Sequence, residues 1–349
     1  MKIPKLYLSG MGAVLTSIEK MRKWRHDEKG PIFYLSGRFG TSASIEDDWI
    51  KRTGCKYRCF SYAYVCPDAF YYRPQFAEAY EMSVKHKQHI AMDSSAYSFH
   101  KFALTQTGSR IKGKNKVGNI EEFRQQTIDN YIKYCRENEK KWDFYFTFDY
   151  IKHSPTIYKI TQFLKKEGLN PVPVFHGDEG LDWLRRYIDD GHKIMGIGTD
   201  ISKRRKWKDL RYYYDQVFEI TEKHKILCHG LAITNLSLGF AYPWFSLDSS
   251  TWARISGFGH VIVVDSHRRT LQQLHISTRE SLNNLKSYNR MPKVIQKEIR
   301  AQIESHGFDF DLMRRSLVER AVYNGWVFSN LSKLDVKIVE DKIEWMRLL

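Results

Sequence analysis

Cysteine is scarce in these 349 residues: there are five, an odd number, at positions 55, 59, 66, 135 and 228. That count argues against a disulfide framework and sets the expectation of a reducing compartment, the cytoplasm. No stretch approaches the ~20 consecutive apolar residues that a membrane-spanning helix needs, and the opening MKIPKLYLSG lacks the apolar core of a secretion signal. Nine prolines and 21 glycines are too few for a low-complexity chain, while 42% hydrophobic and 14% aromatic residues can bury a large core. Acid is in deficit too, with 40 Asp and Glu against 56 Lys and Arg, a formal charge of +16. The excess points to a polyanionic partner, most simply the phosphates of a nucleic acid, without naming an activity.

Between about residues 31 and 252 short apolar runs alternate with amphipathic helical stretches. The runs are Ile32–Leu35, Ile90–Met92, Phe144–Phe148, Val172–Phe175, Lys193–Met195, Lys225–Leu227 and Trp244–Leu247. Each is apolar at both parities, as a strand covered on both faces must be. Between them, Asn119 and Glu122 form a capping box before Ile128, Tyr131, Ile132 and Cys135. Ser154-Pro155 opens another helix that Gly168 ends. Leu181, Leu184 and Ile188 stripe a third, closed by Gly191, and a fourth spans about Trp207 to Lys223. Repeated strand–helix units predict parallel strands with right-handed crossovers. With Leu6-Tyr7-Leu8 as an eighth strand, the α/β fold predicted is a (β/α)8 TIM-like barrel over residues 1–270, a doubly wound open sheet being the competitor. Residues 271–349, with Ile295, Ile299, Ile303, Leu312, Leu317 and Ala321 at helical spacing, are predicted as a helical C-terminal extension.

Barrel chemistry sits where strands end at the C-terminal face. Asp93-Ser94-Ser95, Asp149, His176-Gly177, Gly196-Ile197-Gly198, His229-Gly230 and Asp248-Ser249-Ser250 each follow one of these runs. Three carboxylates would thus converge on one mouth, where burial is costly without a task; the alternative is that each Asp caps its following helix. Glycines there let a flat ligand approach the backbone. Basic stretches follow the strands: Arg110, Lys112, Lys114 and Lys116; Lys203, Arg204, Arg205 and Lys206; and Arg268 with Arg269. Each suits a phosphate backbone or a solvated loop. The spacing of Cys55, Cys59 and Cys66 near His86 and His89 is not that of a zinc knuckle, so no metal is expected. Asp265-Ser266-His267 reads as a surface turn, and Gly196-x-Gly198 alone is too weak for a dinucleotide site; no cofactor is expected.

The order and wording of these strand ends resemble the tRNA-guanine transglycosylase superfamily and most of all its DNA-directed, DpdA-like relatives of phages and bacteria, over roughly residues 85 to 255. Met92-Asp93-Ser94-Ser95-Ala96-Tyr97 resembles the family's Asp-Ser-Gly-Gly-Phe-Gln, and Phe148-Asp149-Tyr150 its Phe-Asp-Glu. Val174-Phe175-His176-Gly177 stands where Val-Gln-Gly-Gly would be, and Met195-Gly196-Ile197-Gly198 where Gly-Gly-Leu-Ala would be. His229 to Thr234 is similar to Met-Gly-Val-Gly-Thr-Pro, and Phe245-Ser246-Leu247-Asp248 to the segment of the nucleophile. The chain departs from the family twice: no cysteine follows Cys228, so the family's zinc site is missing, and His176 replaces the base-reading Gln.

The resemblance implies an enzyme that exchanges guanine in DNA for a free 7-deazaguanine (preQ0-type) base. Asp248 would be the nucleophile at the sugar carbon C1′ and Asp93 the acid and base for departing and incoming bases. Asp149, Ser94, His176, Gly177 and the backbone of Gly196, Ile197 and Gly198 would hold the base, with Tyr97 or Phe99 stacking on it. The target base must leave its helix. Three readings compete: the same chemistry on tRNA, a non-catalytic nucleic-acid-binding barrel, and a metal-dependent barrel hydrolase using the three aspartates as ligands.

Overall fold

The computed structural model describes residues 31–38, 42–107, 120–149, 153–177, 180–198, 207–233, 239, 241–265, 270–279, 287–331 and 334. Eight parallel strands form its centre: β1 Ile32–Ser36, β2 Tyr57–Ser61, β3 His89–Asp93, β4 Phe144–Tyr145, β5 Val174–His176, β6 Ile194–Gly198, β7 Leu227–Gly230 and β8 Ser246–Ser249. They lie in the order β4-β3-β2-β1-β8-β7-β6-β5. The ring closes between its ends at a parallel bridge of Phe146 to Val172: the Thr147 N–H donates to the Val172 carbonyl at 2.9 Å and the Val172 N–H to the Tyr145 carbonyl at 2.7 Å. Every strand therefore neighbours the next in sequence and β8 returns to β1, which is the topology of a TIM-like barrel.

Both faces of this sheet are covered, which is why its strands read as continuous apolar runs. Ile32, Tyr34, Tyr57, Cys59, Ala91, Phe144, Phe146, Val172, Val174, Ile194, Leu227 and Phe245 fill the barrel interior. Alternate residues such as Phe33, Leu35, Phe175, Met195, Ile197 and Leu247 pack outward against helices. Helices predicted from the sequence stand at Ile120–Asn138, Ser154–Lys166, Asp182–Asp189 and Trp207–Lys223. The cap before Ser154 is His153, whose side chain accepts from the Thr156 N–H; Asn119 lies outside the described residues.

β2 completes the eight described strands; Leu6–Leu8, expected to supply one, lies outside the described residues. Arg58 hides β2. A charge in mid-run breaks the apolar signature, yet its side chain is fully buried, with Nη1 donating to Glu46 at 2.6 Å and Nη2 to the Gly37 carbonyl at 2.7 Å. Its guanidinium also lies 4.8 Å from the ring centre of Trp49 and 5.0 Å from that of Phe60. A buried charge needs such a partner set.

After the barrel the chain forms a hairpin before any helix: β9 His260–Asp265 pairs antiparallel with β10 Thr270–His275. The boundary expected at residue 270 falls on the first residue of β10. Helices Lys293–Ser305, Phe310–Arg315 and Leu317–Ser329 follow. Phe328 meets Phe33 of β1 with ring centres 5.0 Å apart, and Tyr323, Val327 and Phe328 share one core with Phe33, Leu35, Trp49 and Trp252. The buried Asn324 amide donates to Ser256 and to the His260 carbonyl, and its oxygen accepts from the Ile262 N–H. The C-terminal region thus completes the barrel's outer layer. Among the described residues no helix is long and apolar enough to cross a membrane.

Candidate active site

The strands bring Asp93, Asp149 and Asp248 to one end of the barrel, with Ser36, Ser61 and His176 between them. Asp248, nine-tenths buried near the end of β8, accepts at both oxygens: the Ser36 hydroxyl donates to Oδ2 at 2.6 Å and the Ala232 N–H to Oδ1 at 2.7 Å. Donors on both oxygens complement a carboxylate anion. Asp93 ends β3, across β2 and β1 from Asp248. Its Oδ2 accepts from the Ser61 hydroxyl at 3.0 Å and the Ser95 N–H at 3.1 Å. Since Ser61 spends its proton on Asp93, the Ser95 hydroxyl donates to Ser61 at 2.5 Å and itself accepts from the Ala63 N–H. The chain of donors polarises toward the acid.

Those donors do not decide Asp93's protonation. Protein crowding round its carboxyl, followed by the negative charge of Asp248, pushes its pKa up from 3.8 to about 7; Asp149 adds to the rise and the Ser61 and Ser95 bonds oppose it. An unfolded chain gives up this proton near 3.8, whereas the folded one holds it to about 7. Stability from this group is complete below about pH 4 and is lost as pH rises to about 7. Asp93→Asn is therefore expected to be more stable than the wild type at pH 8, by about 1–3 kcal/mol, the carboxyl keeping an open edge. The difference should vanish at pH 4 in thermal unfolding followed by circular dichroism; a constant difference would contradict the shifted titration.

Two backbone residues holding the acids are strained. Ser95 has φ +69° and Ala232 φ +52°, in the left-handed region that costs a non-glycine residue on the order of 1 kcal/mol. Each points its N–H at a carboxylate. Strain held at hydrogen-bond donors is characteristic of built sites.

Asp149, just beyond β4, receives His176 of β5: Nε2 stands 3.0 Å from Oδ2. Its Oδ1 is buried and has no hydrogen-bond partner among the described residues. No protein-family model matches the sequence, and no curated protein does. Among solved structures, the tryptophan synthase alpha chain from Legionella pneumophila subsp. pneumophila is similar, with a TM-score of 0.40 and 9% identity, covering 69% of this chain and 86% of that chain. A likeness of that size says nothing of chemistry.

The glycines serve the protein's own rings. A Cβ at Gly198 would overlap the His176 imidazole, one at Gly177 the Tyr213 ring, and one at Gly196 would press on Phe146. Ile197 points outward into the core between sheet and helices, and its carbonyl accepts from the Leu231 N–H. Gly198→Ala should displace the imidazole, separating it from Asp149 and overpacking the mouth at a cost of about 1–3 kcal/mol. An unchanged unfolding midpoint and unchanged His176 ring resonances would contradict this contact.

Ser94 is buried, and Tyr97 is 41% exposed with the Lys101 ammonium 4.5 Å from its ring centre. Phe99 is buried among Phe70, Phe123 and Phe148 and offers no stacking face. Arg110, Lys112, Lys114, Lys116, Lys203, Arg204, Arg205, Lys206, Arg268 and Arg269 lie outside the described residues. The cysteines are free and buried, and among the described residues no cluster of three or more His, Cys, Asp or Glu could hold a metal ion. Sequence reasoning missed Ser36, Ser61, Ala232 and His229 as partners of the acids. Ser36 follows the Ile32–Leu35 run as the aspartates follow theirs, and that position was the available signal.

Proposed function

We propose that this chain is a DNA guanine transglycosylase, exchanging guanine in a DNA strand for a free 7-deazaguanine base of the preQ0 type through a covalent aspartyl–sugar intermediate. What supports this is two carboxyl groups in opposed settings at one barrel mouth: Asp93, which keeps a proton to about pH 7, and Asp248, held by donors on both oxygens. Base exchange needs that division. An Asp248 oxygen bonds to C1′ as the C1′–N9 bond breaks; the electron pair leaves with guanine, which takes the proton of Asp93. The incoming base then returns a proton to Asp93, and its ring nitrogen displaces Asp248 from C1′.

The remaining groups suit the same substrate. Asp149 stands at the same mouth with His176 on Oδ2, and its buried Oδ1 becomes an acceptor for the N1–H and 2-amino group of guanine once the carboxyl turns toward the substrate. The exposed Tyr97 ring offers a stacking face for an unpaired nucleotide. The +16 charge favours a phosphate backbone.

Guanine release in a single turnover should fall about tenfold per pH unit above about 7, as Asp93 loses the proton the leaving base requires. A release rate flat through neutral and mildly alkaline pH would remove Asp93 as the acid. The function itself is tested by incubating the protein with labelled guanine and either a DNA strand or tRNA, then identifying nucleosides by mass spectrometry. Label entering DNA, with an adduct that survives denaturation, is expected. Label entering tRNA alone would change the polymer, and label in neither, without an adduct, would overturn the chemistry.

A further inference from the structure

Directly beneath Asp248, on β7, lies an imidazole that the mechanism above does not use. His229 is fully buried, with its ring 5.8, 5.5 and 5.0 Å, centre to centre, from those of Tyr34, Phe144 and Phe146. Its Nδ1 is 2.8 Å from the Ser246 hydroxyl. Its Nε2 has no hydrogen-bond partner among the described residues and stands 3.5 Å from Asp248 Oδ1. Ser246 is itself fully buried, so this serine–histidine–aspartate row exposes no hydroxyl to a substrate.

A neutral imidazole carries one ring proton, and the neighbours select where. With the proton on Nδ1, an Nε2 lone pair would face the carboxylate across a dry gap, a repulsion that the low-dielectric surroundings leave unscreened. With the proton on Nε2, the Ser246 hydroxyl donates to Nδ1 and an N–H faces Oδ1. Oδ1 then has the Ala232 N–H bonded at 2.7 Å and the positive end of the imidazole N–H 3.5 Å away, both held in place, whereas Oδ2 has the rotatable hydroxyl of Ser36. A hydroxyl turns aside at less cost than a backbone amide or a caged ring.

We propose that His229 is a positioning residue, with its ring proton on Nε2 and Nδ1 accepting from Ser246, which with Ala232 holds Oδ1 of Asp248 and leaves Oδ2 as the oxygen that bonds to C1′. The assignment rests on the transglycosylase reading for its chemistry and on geometry alone for its tautomer. In the covalent intermediate Oδ1 is the ester carbonyl oxygen. When the incoming base displaces Oδ2 from C1′, the electron pair of that bond returns to the carboxylate, and the Oδ1 donors stabilise the charge as it forms.

Two measurements on the full chain separate the inference from the function. Nitrogen-15 ring resonances of His229 should report protonated Nε2 and unprotonated Nδ1, with the pattern lost in Ser246→Ala; a protonated Nδ1 in the wild type would overturn the proposal whether or not the protein exchanges bases. In single-turnover assays with a guanine-containing DNA strand, His229→Leu should slow adduct formation by about 10- to 100-fold with binding of the free base unchanged. His229→Gln, whose amide N–H can stand in for Nε2–H, should recover most of that loss and also serves as the test if the leucine variant fails to fold. Equal rates in the wild type and the leucine variant, or a glutamine variant no better than the leucine one, would overturn the proposal. Should the wild type form no adduct, the transglycosylase reading fails, and the ring resonances alone then decide the Asp248–His229 arrangement.

Discussion

Asp248→Asn is expected to abolish adduct formation and base exchange, a loss of at least about a thousandfold, while leaving the fold intact. The amide keeps the shape of the carboxylate: its oxygen accepts from the Ala232 N–H, and its nitrogen donates to the Ser36 oxygen in place of the hydrogen bond now received. What is lost is the anion. The same substitution removes the second largest cause of Asp93's elevated pKa, so Asp93 should titrate below about 7 in the variant, which carbon-13 resonances of its carboxyl will show. Exchange above about a tenth of the wild-type rate would remove Asp248 as the nucleophile. A titration of Asp93 that does not move would deny that the two acids share a site.

Arg58→Ala is expected to be the most damaging substitution for stability. It takes the guanidinium from the Glu46 carboxylate, 2% exposed, and leaves a gap against Trp49 and Phe60. Breaking a buried pair from one side costs about 3–5 kcal/mol. The thermal midpoint should fall by on the order of 5–10 °C. Removing both charges, as Arg58→Met with Glu46→Leu, should restore most of the loss, because the desolvation cost of the buried carboxylate goes with its guanidinium. A single variant within about 1 kcal/mol of the wild type, or a double variant no better than the single, would show that the pair is not what holds β2 in place. The consequence reaches the site, since β2 ends in Ser61, the donor to Asp93.

The strands that read clearly did so for one reason. β1, β3 and β6 are covered by the interior on one face and by helices on the other, so both parities are apolar and each run stands out. β2 obeys the same burial, but Arg58 masks it, because the partner that makes a buried charge tolerable comes from a neighbouring helix and a loop carbonyl. In the hairpin, Val261 to Val264 carry a plain strand signal for β9 that lay past the expected last barrel strand, whereas Leu271, Gln272, Gln273 and Leu274 of β10 alternate too weakly to mark a strand without their pairing partners. The mouth glycines were expected to admit a ligand, whereas Gly177, Gly196 and Gly198 make room for Tyr213, Phe146 and His176. Spacing along a chain shows that a side chain is missing, not what fills the space.

By itself the sequence determined a parallel α/β fold, the positions of its main strands and the three aspartates that follow them, because strand burial and the rule that chemistry follows a strand are local patterns; the pairing of β1 with β8 and the Phe146–Val172 bridge made it a barrel rather than an open sheet. The tertiary structure decided how those acids differ. Asp248 takes its donors from Ser36 and Ala232 and has His229 beneath it, and Asp93 takes its elevated pKa from crowding and from Asp248. None of these partners sits within ten residues of the group it acts on, apart from the Ser95 N–H that steadies Asp93. Electrostatic environment is set by distance in space, and only closing the ring from β1 to β8 supplies those distances.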